Sequence, residues 1–390
     1  MKANKYIYIL LPVLFIIILS IGCIDKFDGN IAHNGTEHLV IEGNIISDSV
    51  VVFQLSRTLP LNEDSENRDE FYNFMDVEAE VSVKGSDGSC WKGIPLGKGE
   101  YSVAVGTLQA DKEYSLEVVC DGATYTSIPQ RPLETTKIES LDYVQLDSEG
   151  PVEVSVTTAE TNSDEVQYHL WFFKEDWEVR AVFPSQYWYN YETKRIDDMG
   201  YPKYAQGWCH TGGEQFIAAS TASLEEPRWV NRHLISIPSD DHRLSCLYSF
   251  RLYQRNLSKK EYEYYQLRIK VNEEMGGLFT PQPSELPTNI SCSDPDRKAI
   301  GYIGCNLSVD SHQIYIAVED VNYTYQSALL CHEEQVNYSS HYYQYYTEGK
   351  QVSKVITYAY FADLECVDVR YWGANPNGRP EWWPNPYLYK

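Results

Sequence analysis

Val77-Glu78-Ala79-Glu80-Val81-Ser82-Val83-Lys84 alternates apolar and polar side chains with a period of two. That is the signature of a strand with one face on a core and one face on water. Asp87-Gly88 follows as a hairpin signal, and Asp121-Gly122 is another. Between them run Tyr101-Ser102-Val103-Ala104-Val105 and Glu113-Tyr114-Ser115-Leu116-Glu117-Val118-Val119, with Gly97-Lys98-Gly99 as a turn. Upstream, His38 to Ile46 and Val50 to Leu55 are β-rich runs joined by a turn at Ser47-Asp48. Short strands spaced 8–12 residues apart predict a β-sandwich over residues 37–132, of the immunoglobulin-like or carboxypeptidase-regulatory-like kind. The acidic run 63–70 reads as a solvated loop, because its spacing is not that of an EF-hand.

Composition agrees with a mainly β chain. Its 390 residues include 32 Tyr, 12 Phe and 9 Trp, and are 43% hydrophobic, too apolar for disorder. A net charge of −24 excludes a nucleic-acid partner, since phosphate contacts need a basic surface.

Residues 133–390 predict a larger β-rich domain. Strands are expected at 151–158, 167–173, 214–219, 246–255, 299–306 and 313–319. One amphipathic helix is expected near 258–275. Ser258-Lys259-Lys260-Glu261 is a capping box, Tyr264, Leu267, Val271 and Met275 make an apolar stripe, and Gly276-Gly277 closes the helix. Pro281, Pro283 and Pro287 forbid regular structure beyond it.

The N-terminus carries an export signal. Lys2 and Lys5 precede an uncharged apolar run from Tyr6 to Ile21, and Gly22 stands before Cys23. A small residue before Cys is what a lipoprotein signal peptidase requires, with Leu19 here one position further out than usual. The expectation is a signal peptide over 1–22, a lipid on Cys23 and a tether over 23–36, holding the chain to a membrane. Asp25 and Asp28 resemble the acidic surface-export signal of Bacteroidota lipoproteins.

Eight cysteines remain: Cys90, Cys120, Cys209, Cys246, Cys292, Cys305, Cys331 and Cys366. An even count in an exported chain predicts at least three disulfides. Proximity in sequence favours Cys90–Cys120, Cys209–Cys246, Cys292–Cys305 and Cys331–Cys366. No Cys-x-x-Cys occurs, so a zinc site is not expected.

Catalytic motifs are missing. There is no Gly-x-Ser-x-Gly elbow, His-Glu-x-x-His, phosphate-binding loop or dinucleotide fingerprint, and neither a cofactor nor a metal is expected. His210 beside Cys209 is a Cys-His pair on paper, but a bonded or buried Cys209 would not be a nucleophile. Asp294 and Asp296 flank Pro295 and read as turn formers, and His332-Glu333-Glu334 reads as surface. The aromatic clusters carry more information. Tyr187-Trp188-Tyr189-Asn190-Tyr191, Tyr342-Tyr343-Gln344-Tyr345-Tyr346 and Trp382-Trp383 are each either core or an exposed binding platform. Tyr187, Trp188, Tyr189, Trp382 and Trp383 are the binding candidates.

Several stretches resemble the domain of unknown function 4249 family of exported Bacteroidota lipoproteins. These are LVIEGNIISDS (39–49), QLSRT (54–58), YSLEVVCDGATYTS (114–127), the long run 248–290, IGYIGC (300–305) and ECVDVRYWGANPNGRPEWWP (365–384). Thr288 departs from the Gly of many members, and no second Cys follows Cys366. The resemblance implies an outer-membrane lipoprotein without established activity, often encoded beside a TonB-dependent receptor. The expectation is therefore a ligand-capture or docking accessory, with the surface-exposed face of the outer membrane favoured over the periplasmic one. A surface hydrolase with dispersed carboxylates, or an adhesive or structural envelope protein, are the alternatives.

Overall fold

The computed structural model describes residues 38–58, 77–161, 167–274, 286–324 and 331–384. The signal peptide, Cys23, the tether, the acidic run 63–70, Met275, Gly276-Gly277, Pro281 and Pro283 lie outside the described residues.

The first part of the chain supplies β1 (Leu39–Glu42), β2 (Asn44–Ile46), β3 (Ser49–Arg57), β4 (Glu80–Gly85), β5 (Cys90–Gly97), β6 (Glu100–Val105), β7 (Tyr114–Cys120) and β8 (Ala123–Ser127). Each hairpin falls where turn chemistry placed it. Asp48, Lys98 and Asp121 have positive φ, as do the turn glycines Gly88, Gly97, Gly99 and Gly122. In β4 Val81 and Val83 are buried while Glu80 and Lys84 face water, as the alternation requires.

The second part supplies β9 (Ile138–Val144), β10 (Val152–Thr158), β11 (Tyr168–Arg180), β12 (Tyr187–Asn190), β13 (Arg195–Asp198), β14 (Gln206–Ser220), β15 (Arg232–Ile237), β16 (Leu247–Leu257) and helix α1 (Lys259–Glu274). After α1 come β17 (Ile290–Cys292), β18 (Ala299–Ile300), β19 (Gly304–Asn306) and β20 (Asp310–Ala317). The last segment holds β21 (Glu334–Val336), α2 (Tyr342–Thr347), β22 (Lys350–Val355), β23 (Ala359–Asp363) and α3 (Leu364–Val367).

The chain is mainly β, and three of the hydrophobic cores among its described residues organise the architecture. The first is enclosed by a nine-stranded sheet of order β17-β8-β7-β4-β5-β6-β3-β1-β18, whose edge strands meet so that the sheet nearly closes. Its two edges come from residues 290–300, and β19 pairs in parallel with β2. The module expected at 37–132 is thus completed from the later part of the chain. Gly301 makes that approach possible. Its φ is +128°, and a Cβ there would stand 2.0 Å from the Ile41 carbonyl oxygen.

The second core is a sandwich. The sheet β15-β10-β9 faces β14-β11-β16-β20 over Val152, Val154, Val156, Trp171, Phe250 and Leu252. The other face of β11, β14 and β16 carries Leu170, Phe216 and Leu257, and α1 covers it with Tyr264 and Tyr265. The third core gathers Tyr189, Val336, Val352 and Phe361 from β12 and the β21-β23-β22 sheet.

The cysteine expectation needs correction. Only Cys331–Cys366 is bonded among the described residues, joining the start of the last segment to α3. Cys90, Cys120, Cys209, Cys246, Cys292 and Cys305 are free thiols. Strand order is the reason. Strand β4 separates Cys90 from Cys120, and register sets them at opposite ends, Cys90 across from Lys84 and Cys120 beyond Val119. Strand β11 separates Cys209 on β14 from Cys246 at the start of β16. Cys292 pairs with β8 whereas Cys305 pairs with β2. Proximity in sequence did not become proximity in space.

Candidate functional site

A cleft of about 670 Å³ opens where the first module meets the outer face of the β14-β11-β16-β20 sheet. Glu42, Gly43, Asn44 and Val52 form one wall; Leu170, Phe172, Lys174 and Phe216 form the floor; Arg255, Tyr265 and Arg268 close the end under α1. That volume suits a small molecule, and a seam between two packed units is where such sites occur.

The strand period builds the floor. Leu170, Phe172 and Lys174 alternate with Trp171 and Phe173, so β11 sends one set to the sandwich core and the other to the cleft. Phe172 stacks on Tyr253 of β16 at 5.1 Å with an interplanar angle of 6°. Phe216 packs against Tyr265 at 5.4 Å, and the Arg268 guanidinium lies 5.1 Å above Phe216. Lys174 reaches over Tyr253 at 5.9 Å, with its side chain exposed.

Helix α1 holds the end wall. Ser258 Oγ accepts the Glu261 amide at 3.2 Å, as the capping box predicts. The buried face then departs from the expected stripe. It is Glu261, Tyr264 and Tyr265, while Leu267 and Val271 are only half-buried. The cause is Arg255, a charged residue near the end of a buried strand, which donates to Glu261 Oε1 at 2.6 Å and to Tyr265 Oη at 3.1 Å. A buried guanidinium requires its carboxylate, so the helix turns an acid inward. Desolvation pushes the Glu261 carboxyl above the ordinary range, against the pull of Arg255. Burial and the same Glu261 push the neighbouring Cys305 thiol up to about 12. On the cleft side Arg268 pairs with Glu42 at 2.7 Å, tying helix to first module.

The sequence-derived candidates divide. Tyr189 is core at 1% exposure and Trp383 is core at 5%, so neither offers a binding surface. Tyr187 and Trp188 are half-buried; Trp188 meets Tyr204 edge-on at 5.0 Å, with Arg370 stacked above Tyr204 at 3.6 Å. Trp382 remains 39% exposed beneath the Arg251 guanidinium at 4.8 Å. The second tyrosine cluster forms helix α2 rather than a strand. Tyr342 and Tyr345 pack on Phe361, while Tyr343 and Tyr346 turn outward to meet exposed Tyr191 at 6.0 and 5.7 Å. The first and second clusters thus join into one mass of rings, core below and surface above.

The other candidates are structural. Cys209 points into a cluster with Val179, Val369 and Ala374, and burial raises its thiol. His210, next on β14, faces the opposite way, hydrogen-bonded to Asp176 and to the Gly378 carbonyl at 2.9 Å. They form no dyad. Asp294 accepts the Asp296 amide at 3.0 Å, shaping the expected turn. Glu333 and Glu334 pair with Lys354 and Lys350 at the surface. Among the described residues no group of three or more His, Cys, Asp or Glu is placed to hold a metal ion.

A family model described as a domain of unknown function (DUF4249) matches residues 24–313. The chain belongs to that family. No curated protein matches it. Among solved structures it is similar to the crystal structure of a DUF4785 family protein from Legionella pneumophila, at 9% identity and a TM-score of 0.17. That match covers 50% of this chain and 56% of the other, so the chain spans little more than half its length, and the score is too low to carry an argument. The cleft was not foreseen. Its signal in the sequence is Arg255, set near the end of the largely buried β16 six residues before the buried Glu261.

Proposed function

We propose that this DUF4249 protein is a lipid-anchored outer-membrane lipoprotein of the Bacteroidota that binds rather than catalyses, and serves a TonB-dependent receptor as a ligand-capture or docking accessory on the cell surface. The observation that carries the binding reading is the cleft of about 670 Å³, lined by rings and cations at the seam between two cores. Among the described residues its lining carboxylate is Glu42, engaged by Arg268, and a hydrolytic reading would need a second carboxylate beside it. Anchoring rests on Gly22-Cys23 behind the apolar run.

The experiment is fractionation with affinity capture. The full chain is expected in the outer membrane and to bring down a β-barrel receptor, whereas Cys23→Ser leaves the membrane fraction. Unchanged membrane association of Cys23→Ser overturns the anchor. Turnover of a glycan or peptide, abolished by replacing one carboxylate, overturns the non-catalytic reading.

A further inference from the structure

We propose that the cleft takes a small flat anion, its ring resting on Phe172 and Phe216 and its negative group held by Lys174. This rests on the binding reading above and adds the chemical class of the ligand.

The sign of the charge follows from which groups are already matched. Arg255 is spent on Glu261, and Arg268 is spent on Glu42. Lys174 is the cation left over; its described contact is the face of Tyr253, with no carboxylate partner among the described residues. Among the described residues the lining therefore carries one uncompensated positive charge, in a chain whose net charge is −24. A cationic ligand would have to displace Arg268 from Glu42 while facing Lys174. An anion meets neither cost, and the low-dielectric floor strengthens its pairing.

The flat body follows from the floor. Phe172 and Phe216 are half-buried, each backed by a second ring, Tyr253 and Tyr265, so both are rigid. Phe172, parallel to Tyr253, presents a flat apolar surface, which favours an offset-stacked ring over a branched aliphatic chain. Val52, 48% exposed at the mouth, lines up across Ser102 with exposed Ile94, so the apolar wall continues outward beyond the cleft.

The probe pair is 8-anilino-1-naphthalenesulfonate and its uncharged counterpart N-phenyl-1-naphthylamine, titrated by fluorescence against the full-length protein in non-ionic detergent with the dye-only signal subtracted. The sulfonate should bind one site saturably. Lys174→Glu should weaken it at least tenfold, Phe172→Leu several-fold, and Lys112→Glu, on a loop of the first module, not at all. The uncharged dye should bind more weakly and ignore Lys174→Glu. Lys174 is exposed, so unchanged circular dichroism and melting of its variant confirm an intact fold. Equal sulfonate binding by wild type and Lys174→Glu overturns the proposal, as does saturation at several sites that ignores both variants. If the protein captures a receptor but shows no Lys174-dependent binding, the ligand class falls alone. If Lys174-dependent binding persists without receptor capture, the docking reading falls and this one stands.

Discussion

The first core and the third core solve the same problem with different side chains. Inside the nine-stranded sheet most buried side chains are aliphatic, Leu39, Ile41, Leu55, Val81, Val83 and Val103 among them, delivered by strict alternation, with Phe53, Tyr101, Tyr114 and Tyr125 set between them. The third core is a stack of rings, Tyr189 and Phe361 with Tyr342 and Tyr345, set on three short strands and a six-residue helix. An aliphatic core is a property of pattern, because any branched side chain of the right volume fits. An aromatic core is a property of particular rings in particular orientations, and its outer members become surface within two residues of its inner ones.

The largest effect tests the joint between the sandwich and helix α1. Arg255→Met strands Glu261 without its cation and should cost about 3–5 kcal/mol. Adding Glu261→Leu should recover much of that loss in melting experiments. If the double variant is no better than the single, the pair is not coupled as described.

Truncation compares the two cores directly. Phe53→Ala and Tyr189→Ala should each cost about 3–5 kcal/mol, since both side chains are fully buried. Calorimetry should show the first lowering the whole transition and the second chiefly a transition of the last segment. A single transition shifted equally by both would make the cores one cooperative unit.

His169 bears on the sandwich between them. It is wholly buried, its ring nitrogens meet no partner among the described residues, and burial depresses its pKa to about 4. A folded value below the unfolded one means that protonation favours unfolding. Stability is therefore full above pH 6.5 and falls as pH drops towards 4, by up to about 3 kcal/mol. His169→Gln should flatten that slope in urea titrations; an unchanged slope assigns the acid sensitivity to other groups.

The disulfide comes next. Cys331→Ala with Cys366→Ala should destabilise the last segment by about 2–4 kcal/mol and leave the first core unaffected. Thiol alkylation at pH 8 should modify exposed Cys90 first, and spare Cys246 and Cys305, whose thiols burial pushes up to about 11 and about 12. The smallest effect belongs to the outer rings. Tyr343→Ala should change stability by less than about 0.5 kcal/mol, an order of magnitude below Tyr189→Ala.

Legibility in the sequence followed the same division. The hairpins at Asp87-Gly88 and Asp121-Gly122 and the strands of the first module are local, so turn chemistry and alternation reveal them. Helix α1 announced its start through Ser258 and Glu261 but not its buried face, which Arg255 dictates from another element. Tyr342 to Tyr346 left core and exposed platform both open, and the helix resolves it by packing Tyr342 and Tyr345 on Phe361 and turning Tyr343 and Tyr346 outward. The cleft draws its lining from β1, β2, β3, β11, β14, β16 and α1, and no local pattern foretells which distant strands will meet. The disulfide guesses failed for the same reason, except where the two cysteines border one small unit.

The return of residues 290–306 to the first sheet has a consequence for the order of assembly. Asn44 bonds to Asn306 across 262 residues of sequence, and β1 waits for β18 along its open edge. A chain delivered from its N-terminus presents β1 with its backbone amides and carbonyls bare until the stretch around Ala299 arrives. Contacts of such separation form slowly, and a bare strand edge is a template for the wrong partner. Biogenesis of this protein should therefore depend on a holding chaperone, and a chain cut off before residue 290 should accumulate as aggregate rather than as a stable N-terminal fragment.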